Sequence, residues 1–524
     1  MRPTATAVRP ICLASALLAL AGSSLAGPGI RVATWNISNY AGGRVADIQG
    51  TVYGVVPVGL ALAGKTMDPD ILIVQEMASE AAALSIINTL NTAPGSPGDW
   101  DMEIFTISPD TSSAFFYRTS KIENLGSTVA VFGGSISGPP RHVMRYDWRP
   151  VGYTANSART ASFSVHMKAG STATDLSRRQ VEAVAIRDYI TAMVNQPVFS
   201  GINFMILGDF NIGAGNEAAY QTMTAASAGV ARVFDPINTP GSWSDSLIFR
   251  FVHTQDPATS AGMDDRYDQI LCSSNLLDGQ GLAYIGNPAV AYSTSTWNDP
   301  NHSYRAWGND GSSLNNPLRT TGNTMVGAAI AQDIIDSATT AGGHIPVFMD
   351  IKVPCVAAAS AGSINFGTVY QGSLQERTLT VLNNGNVSLW TAAGIDAVTH
   401  SLAASGPFTA PAGTFNAAAG TPGTAHQIGL DTSTTGLKSG SVTITTDDPS
   451  NPTIVVSLSA NVVPPPSCPG DLNNDFVVNT ADLALFLGAF GQSVTPGTSG
   501  DLNNDGVINT ADLALFLGNF GRTC

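Results

Sequence analysis

Charge is what this sequence has least of. Of 524 residues only 12% are Asp, Glu, Lys or Arg, about half the share of roughly 25% found in ordinary globular chains. Lys and Arg total 24 against 39 Asp and Glu, a net charge of −15 at pH 7. That balance excludes the general basic field of a non-specific nucleic-acid coat. An anionic substrate would have to be met by local cations or a metal. Residues 27–354 hold 19 Lys and Arg with 28 Asp and Glu, and residues 355–524 hold 3 with 11, so the C-terminal part is acidic for its size. Of the 19 cations 15 are Arg, the side chain whose planar fork suits phosphate and carboxylate oxygens. Cysteine is scarce, and past residue 26 no apolar run reaches the roughly 18 residues of a membrane helix, so the mature chain is expected to be soluble.

The apolar stretch at the start is of another kind. Arg2 and Arg9 precede Ile11–Leu20, and Ser24-Leu25-Ala26 follows as a small-x-small pattern, so residues 1–26 read as a signal peptide cleaved after Ala26, and the protein as secreted. Cys12 leaves with it. The remaining Cys272, Cys355, Cys468 and Cys524 allow three pairings in an oxidising compartment. Cys468 and Cys524 bracket the last segment and are the preferred pair; Cys272 with Cys355 follows by elimination.

A chain of this length exceeds one core and should divide into domains. Its centre is Phe204-Met205-Ile206-Leu207-Gly208-Asp209-Phe210-Asn211. Four apolar residues cut off by glycine read as a buried strand ending at a cleft. Alternation along an extended chain would send Asp209 and Asn211 the same way, and a carboxylate beside an amide oxygen can hold a hard cation or position water and phosphate. Earlier strands are read at Ile30–Asn36, at Ile71–Glu76, which ends on a carboxylate, at Ala114–Tyr117 and at Thr160–Val165, which runs into His166. Helices are expected at Ser79–Leu90 and Asp175–Val194, and further strands at Arg266–Leu271 and from Gly342-Gly343-His344 to Asp350. Strands parted by helices and long loops make 27–354 a mixed α/β domain.

From residue 357 the texture turns to Thr, Val and small residues. Short strands at Ser363–Val369, Arg377–Leu382, Gly440–Thr446 and Thr453–Ala460 make 357–462 an all-β sandwich. Residues 463–467 form a stiff Pro-rich linker. Residues 468–524 are an internal repeat: Asp471-Leu472-Asn473-Asn474-Asp475-Phe476 to Asp482 returns 30 residues on as Asp501-Leu502-Asn503-Asn504-Asp505-Gly506 to Asp512. Asp471, Asn473, Asp475, Asn479 and Asp482, and then Asp501, Asn503, Asp505, Asn509 and Asp512, carry side-chain oxygens at Ca²⁺-loop spacing, each loop leading into an apolar helix. Phe476 stands where the sharp turn favours glycine, so the first loop should bind more weakly.

Taken in order, Trp35-Asn36, Gln75-Glu76, His166, Gly208-Asp209-Phe210-Asn211, Arg266-Tyr267-Asp268 and His344-Ile345-Pro346-Val347 resemble the endonuclease/exonuclease/phosphatase superfamily. The resemblance implies a four-layer fold of two packed sheets flanked by helices, with the site at one end. It implies Asn36 and Glu76 as ligands of Mg²⁺ or Mn²⁺, and Asp209 as the group orienting or deprotonating water. Asn211 and His166 would hold phosphate oxygens, and His344 would act on the scissile phosphate, oriented by Asp268. Arg145 and Arg149 would be substrate contacts. The activity implied is metal-dependent phosphodiester hydrolysis, with nucleic acid as substrate and a phospholipid or phosphomonoester as the alternative. The chain departs from that family at Gly343, where an Asp is usual, which leaves a catalytically weak adhesion or scaffold-binding protein as the rival reading. The sandwich resembles immunoglobulin-like repeats. The terminal repeat resembles type I dockerins, which implies Ca²⁺ and a cohesin-like scaffold partner.

Overall fold

The computed structural model describes residues 27–338, 342–465 and 468–524; the expected signal peptide and the end of the Pro-rich linker lie outside them. The first sheet is built on β1 (Ile30–Tyr40) and β2 (Ile71–Met77), which run parallel, with β3 (Trp100–Met102) and β4 (Ser112–Arg118) beyond β2. The second contains the hairpin of β5 (Ile122–Val131) and β6 (Val143–Pro150), then β7 (Thr160–His166), β8 (Asn203–Asp209) and β9 (Asp268–Cys272). β7 and β8 are parallel, with His166 directly opposite Asp209. The short β10 (Arg305–Ala306) and β11 (Val347–Ile351) close the first sheet against β1.

Side-chain alternation explains the layering. On β8, Met205 and Leu207 enter the apolar cluster between the two sheets, and Phe204 and Ile206 enter a second cluster under α3 (Ala173–Val194). The first sheet is flanked by α1 (Val45–Tyr53), α2 (Glu80–Asn91) and α5 (Gly327–Ala338), with α4 (Ala218–Thr224) packed beside α3. Residues 30–351 therefore have the four-layer, two-sheet build that the resemblance implies. Gly208 is required where it stands: at φ +130° a Cβ would lie 2.1 Å from the Val165 carbonyl oxygen of the neighbouring strand. The β5–β6 hairpin is absent from the sequence reading because β6 carries Arg145, Asp147 and Arg149, an alternation of charge that reads as loop.

Residues 357–463 form two facing sheets of four and five strands. Strands at Val398–Ala404 and Thr424–Leu430 add to those read from the sequence. This sandwich is joined to the first region through its core. Trp390, at the end of α6 (Val387–Trp390), with Ile395 and Ala419, lies in the same apolar cluster as Ile30 and Ile122. Lys121 sits over the Trp390 ring at 5.6 Å, and Val353 pairs with Ile395.

The repeat forms α7 (Thr480–Ala489) and α8 (Thr510–Asn519), packed through Phe486 and Phe516. Cys468 and Cys524 are bonded, with Cα atoms 5.9 Å apart. The second pairing is corrected: Cys272 and Cys355 are free thiols. They belong to different cores, Cys272 between the two sheets of the first region and Cys355 in the sandwich.

Candidate active site

The strand ends that meet at one edge of the two sheets carry the site. Asn36 lies within the buried run of β1, past the register it shares with β11, and Glu76 lies near the end of β2, with its backbone at φ +63°. His166 and Asp209 end β7 and β8, Asp268 begins β9, and His344 precedes β11. Because β9 and β11 run antiparallel to their neighbours, their starts lie beside the ends of the parallel strands. Residues more than 300 apart in the chain thus converge.

His344 Nδ1 is 2.6 Å from Asp268 Oδ2, and its Nε2 is 3.6 Å from Asp209 Oδ2. His166 Nε2 lies 3.5 Å from the same Asp209 oxygen and 3.7 Å from Glu76 Oε1. The Asn36 amide donates to Asp209 and to Glu76, both at 3.1 Å, and Glu76 also accepts the Asn39 N–H at 2.7 Å. Beneath the cluster lies a polar seam that joins the sheets: Gln75 Nε2 donates to Ser164 at 3.0 Å and to Thr34 at 3.2 Å, and Ser164 bonds to Ser113. The sequence gives no sign of this seam, since each member is an ordinary strand residue until the sheets are superposed.

Asn211 reaches the site by a different route from the expected one. The strand ends at Asp209, and Asn211 is in the left-handed region at φ +52°. Its N–H donates to Asp209 Oδ1 at 2.9 Å and its side chain to the Met167 carbonyl at 3.1 Å. This is an Asx-type turn closing on the carboxylate, and strand alternation plays no part.

Burial and neighbours set the charges. Desolvation pushes the Asp209 carboxyl up to about 6, with the Asp268 charge adding to the rise and the His344 charge opposing it. Burial alone would lower His344, but the charges of Asp268 and Asp209 and the bond to Asp268 raise it to about 10. His166 is held well below its usual range by burial and by the charges of Arg141 and His344. At neutral pH the cluster therefore contains an imidazolium at 344, a neutral imidazole at 166 and a largely ionised Asp209.

Arg145 and Arg149 are not brought to this cluster. Arg145 grips Asp147 and lies over Phe199 on the α3 side of the sheet, and Arg149 pairs with Glu123. The cation that does reach the mouth is Arg141, which the sequence reading overlooked. Its Nη1 is 3.5 Å from the His166 carbonyl and it pairs with Asp110 at 2.6 Å. Arg266 is buried against Asp235 at 2.8 Å. A cavity of about 580 Å³ lined by Tyr220, Phe234, Asp235 and Leu277 includes none of the cluster residues.

Glu76 and Asp209 present the oxygen donors that a hard divalent cation takes. Both accept from the Asn36 amide, while Asp268 is turned to the far nitrogen of His344; among the described residues no Lys or Arg forms an ion pair with any of the three. In the terminal repeat, carboxylate oxygens of Asp471, Asp475 and Asp482 lie within 4.8 Å of one another, as do those of Asp501, Asp505 and Asp512. Asn473 and Asn503 accept the N–H of Asp475 and Asp505, and Asn479 and Asn509 cap α7 and α8 through Ala481 and Ala511.

Residues 469–517 match the model of the Dockerin type I domain. This dockerin segment covers both acidic loops and nearly all of both helices. No curated protein matches the chain. Among solved structures, the chain is similar to the catalytic domain of human Nocturnin with bound sulfate anion, at 11% identity and a TM-score of 0.34, over 62% of this chain and 94% of that one. It is similar to humanized D. rerio TDP2 carrying 14 mutations, at 12% identity and a TM-score of 0.35, over 62% and 100%. It is also similar to a type II cohesin-dockerin domain from Bacteroides cellolosolvens, at 42% identity over 11% of this chain and 90% of that one, with a TM-score of 0.10. Among the described residues no helix is long and apolar enough to cross a membrane.

Proposed function

We propose that residues 27–354 are a secreted phosphodiesterase acting on nucleic acid, carried on an immunoglobulin-like spacer (357–462). A linker (463–467) then leads to a Ca²⁺-binding dockerin (468–524) that docks on a cohesin-like scaffold. The observation that carries the catalytic reading is the convergence of Asp209 with the His344–Asp268 pair, joined at 2.6 Å, at the shared edge of both sheets. A buried carboxylate half-ionised at about pH 6 is suited to take a proton from water. Asn211 closes its turn on Asp209 and sets the orientation of that oxygen. His344, already protonated, donates to a phosphate oxygen from Nε2 while Asp268 fixes the ring through Nδ1. The neutral His166 and the guanidinium of Arg141 flank the same space and supply further donors to the phosphate or the leaving oxygen.

Glu76 and Asn36 would hold a divalent ion, Mg²⁺ or Mn²⁺, which when bound neutralises developing phosphate charge. Gly343 brings no carboxylate to that set. Binding on this side rests on Glu76, with Asp209 near.

The test is cleavage of plasmid DNA by the full chain with Mg²⁺ and with chelator, beside His344→Ala. Metal-dependent cutting that disappears in the variant supports the reading, and uncut DNA sinks the nucleic-acid assignment. A second reading has its own observation. Ile104, Ile107, Phe132 and Ile136 are 73% to 94% exposed on the two loops that also present Asp110 and Arg141. An apolar rim beside a phosphate site favours a phospholipid substrate. Product analysis on DNA against sphingomyelin separates the two.

A further inference from the structure

His344 follows two consecutive glycines, Gly342 and Gly343, the first at φ +79°. Such a pair has more backbone freedom than any other dipeptide, yet the imidazole it delivers must meet Asp268 within a few tenths of an ångström. We propose that the segment Thr254–Asp256 supplies that restraint and is the positioning element of the His344–Asp268 pair. The proposal rests on the phosphodiesterase reading for its kinetic consequence and on geometry alone for its structural one.

The segment runs antiparallel to residues 342–345 and bonds to each side of the site. Gln255 forms a β-bridge with His344 itself. The Asp256 N–H donates to the Gly343 carbonyl at 2.8 Å, and Asp256 Oδ1 accepts the Gly342 N–H at 2.5 Å. Both glycines are thereby fixed from outside. Asp256 adopts φ +59° to do so, a left-handed conformation that Asp tolerates better than most residues. Among the described residues it has no Lys or Arg partner, so this carboxylate serves the backbone of the glycine turn.

Thr254 ties the two halves together. It is fully buried. Its carbonyl accepts the Ile345 N–H at 2.9 Å, immediately after His344, and its hydroxyl accepts the Asp268 N–H at 3.1 Å. Its own N–H donates to the Asp265 carbonyl at 2.7 Å. One residue therefore sets the distance between the strand that begins with Asp268 and the turn that carries His344. The Trp35 indole donating to the His344 carbonyl at 2.9 Å holds the turn from the opposite side. None of these groups touches the space beside Asp209, so their role is to position and not to react.

The test uses the full chain with Mg²⁺ and bis(p-nitrophenyl) phosphate, in wild type, Thr254→Val, Thr254→Ser, Asp256→Ala and Asp256→Asn. Displacing a reacting group by a fraction of an ångström costs about tenfold or more in turnover. Thr254→Val and Asp256→Ala are expected to lower kcat by about that factor with KM little changed. Thr254→Ser and Asp256→Asn, which keep the acceptor oxygens, should restore it. The second readout is the proton NMR resonance of His344 Nδ1–H, assigned by its loss in His344→Ala. It should move in Thr254→Val and stay in Thr254→Ser. Wild-type kcat together with an unmoved resonance in Thr254→Val overturns the proposal. If Thr254→Val does not fold, Asp256→Ala decides by the same two readouts. If wild type does not hydrolyse the ester, the catalytic reading fails and the resonance alone decides the positioning.

Discussion

Carboxylates at the end of the sheets and carboxylates in the terminal repeat are managed in different ways. At the end of the sheets Glu76, Asp209 and Asp268 come from three separate strands and are tempered by two histidines. In the dockerin segment Asp471, Asp475 and Asp482 come from one twelve-residue loop, and the backbone itself satisfies them. Asp482 accepts the N–H groups of Leu472, Asn473 and Asn479. Burial works against its ionisation, but those bonds hold its carboxyl below the ordinary range. The first arrangement needs the whole fold to exist, whereas the second needs one turn and the start of one helix. Chemistry with a tuned proton calls for the former, and ion capture is satisfied by the latter.

The largest expected effect tests whether the histidines are what makes the first cluster reactive. His344→Ala should reduce phosphodiester turnover by about 10³-fold, roughly 4 kcal/mol, in a steady-state assay, with Ca²⁺ binding by the dockerin segment unchanged. The same assay run against pH should rise as Asp209 ionises near 6 and fall as His344 loses its proton near 10. A flat profile would remove both groups from proton transfer.

Removing Ca²⁺ tests the other side. Without the ion the crowded carboxylates repel, and a Ca²⁺-selective chelator, with Mg²⁺ kept present, is expected to cost several kcal/mol in the terminal repeat. It should appear in calorimetry as a lowered transition for that segment, with the transition of residues 27–463 unmoved. One coincident shift of both transitions would break the comparison.

Glu182 offers a smaller contrast, because it is a carboxylate with neither arrangement. It lies on α3, 1% exposed, and among the described residues neither oxygen has a hydrogen-bond partner; burial pushes it up to about 8. Its proton is held more tightly folded than unfolded, so it is harmless below the unfolded value near 4.5. Above that, stability falls by about 1.4 kcal/mol per pH unit until the folded value is passed. Glu182→Gln should therefore raise the melting temperature at pH 8 and leave it nearly unchanged at pH 4, as thermal denaturation at the two values would show.

The smallest effect lies within the repeat. Phe476 and Gly506 occupy the same turn at φ +67° and +84°, and the left-handed conformation costs a non-glycine residue about 1–2 kcal/mol. Phe476→Gly should tighten Ca²⁺ at the first loop by about tenfold in calorimetric titration, bringing it level with the second.

The two clusters also differ in how they could be read. The dockerin loops were legible because all their oxygen-bearing side chains lie within one stretch of spacing, and the bracketing pair Cys468 and Cys524 followed from the same locality. The residues that converge at the sheet ends were legible as a series of short motifs, but not their mutual geometry. The placement of Asn211 by a turn, the polar seam through Gln75 and Ser164, and the restraint by Thr254 all depend on contacts between elements distant in sequence. Arg145 and Arg149 misled for the same reason: an Arg on a strand looks available until its partner on the same sheet is known. Arg141 lay in a loop with no periodicity to mark it. Cys272 and Cys355 were paired by arithmetic, and the separation of the cores in which they lie forbids it.

Trp390 and Ile395, seated among residues of the first region, decide where this protein can swing. A spacer strung on flexible joints would let an enzyme wander over its substrate. Here the sandwich and the first region share apolar packing, so the sandwich does not act as a spacer hinged at residue 353. Whatever the dockerin segment grips, the cluster at the sheet ends is carried on one packed unit that runs from β1 through the sandwich.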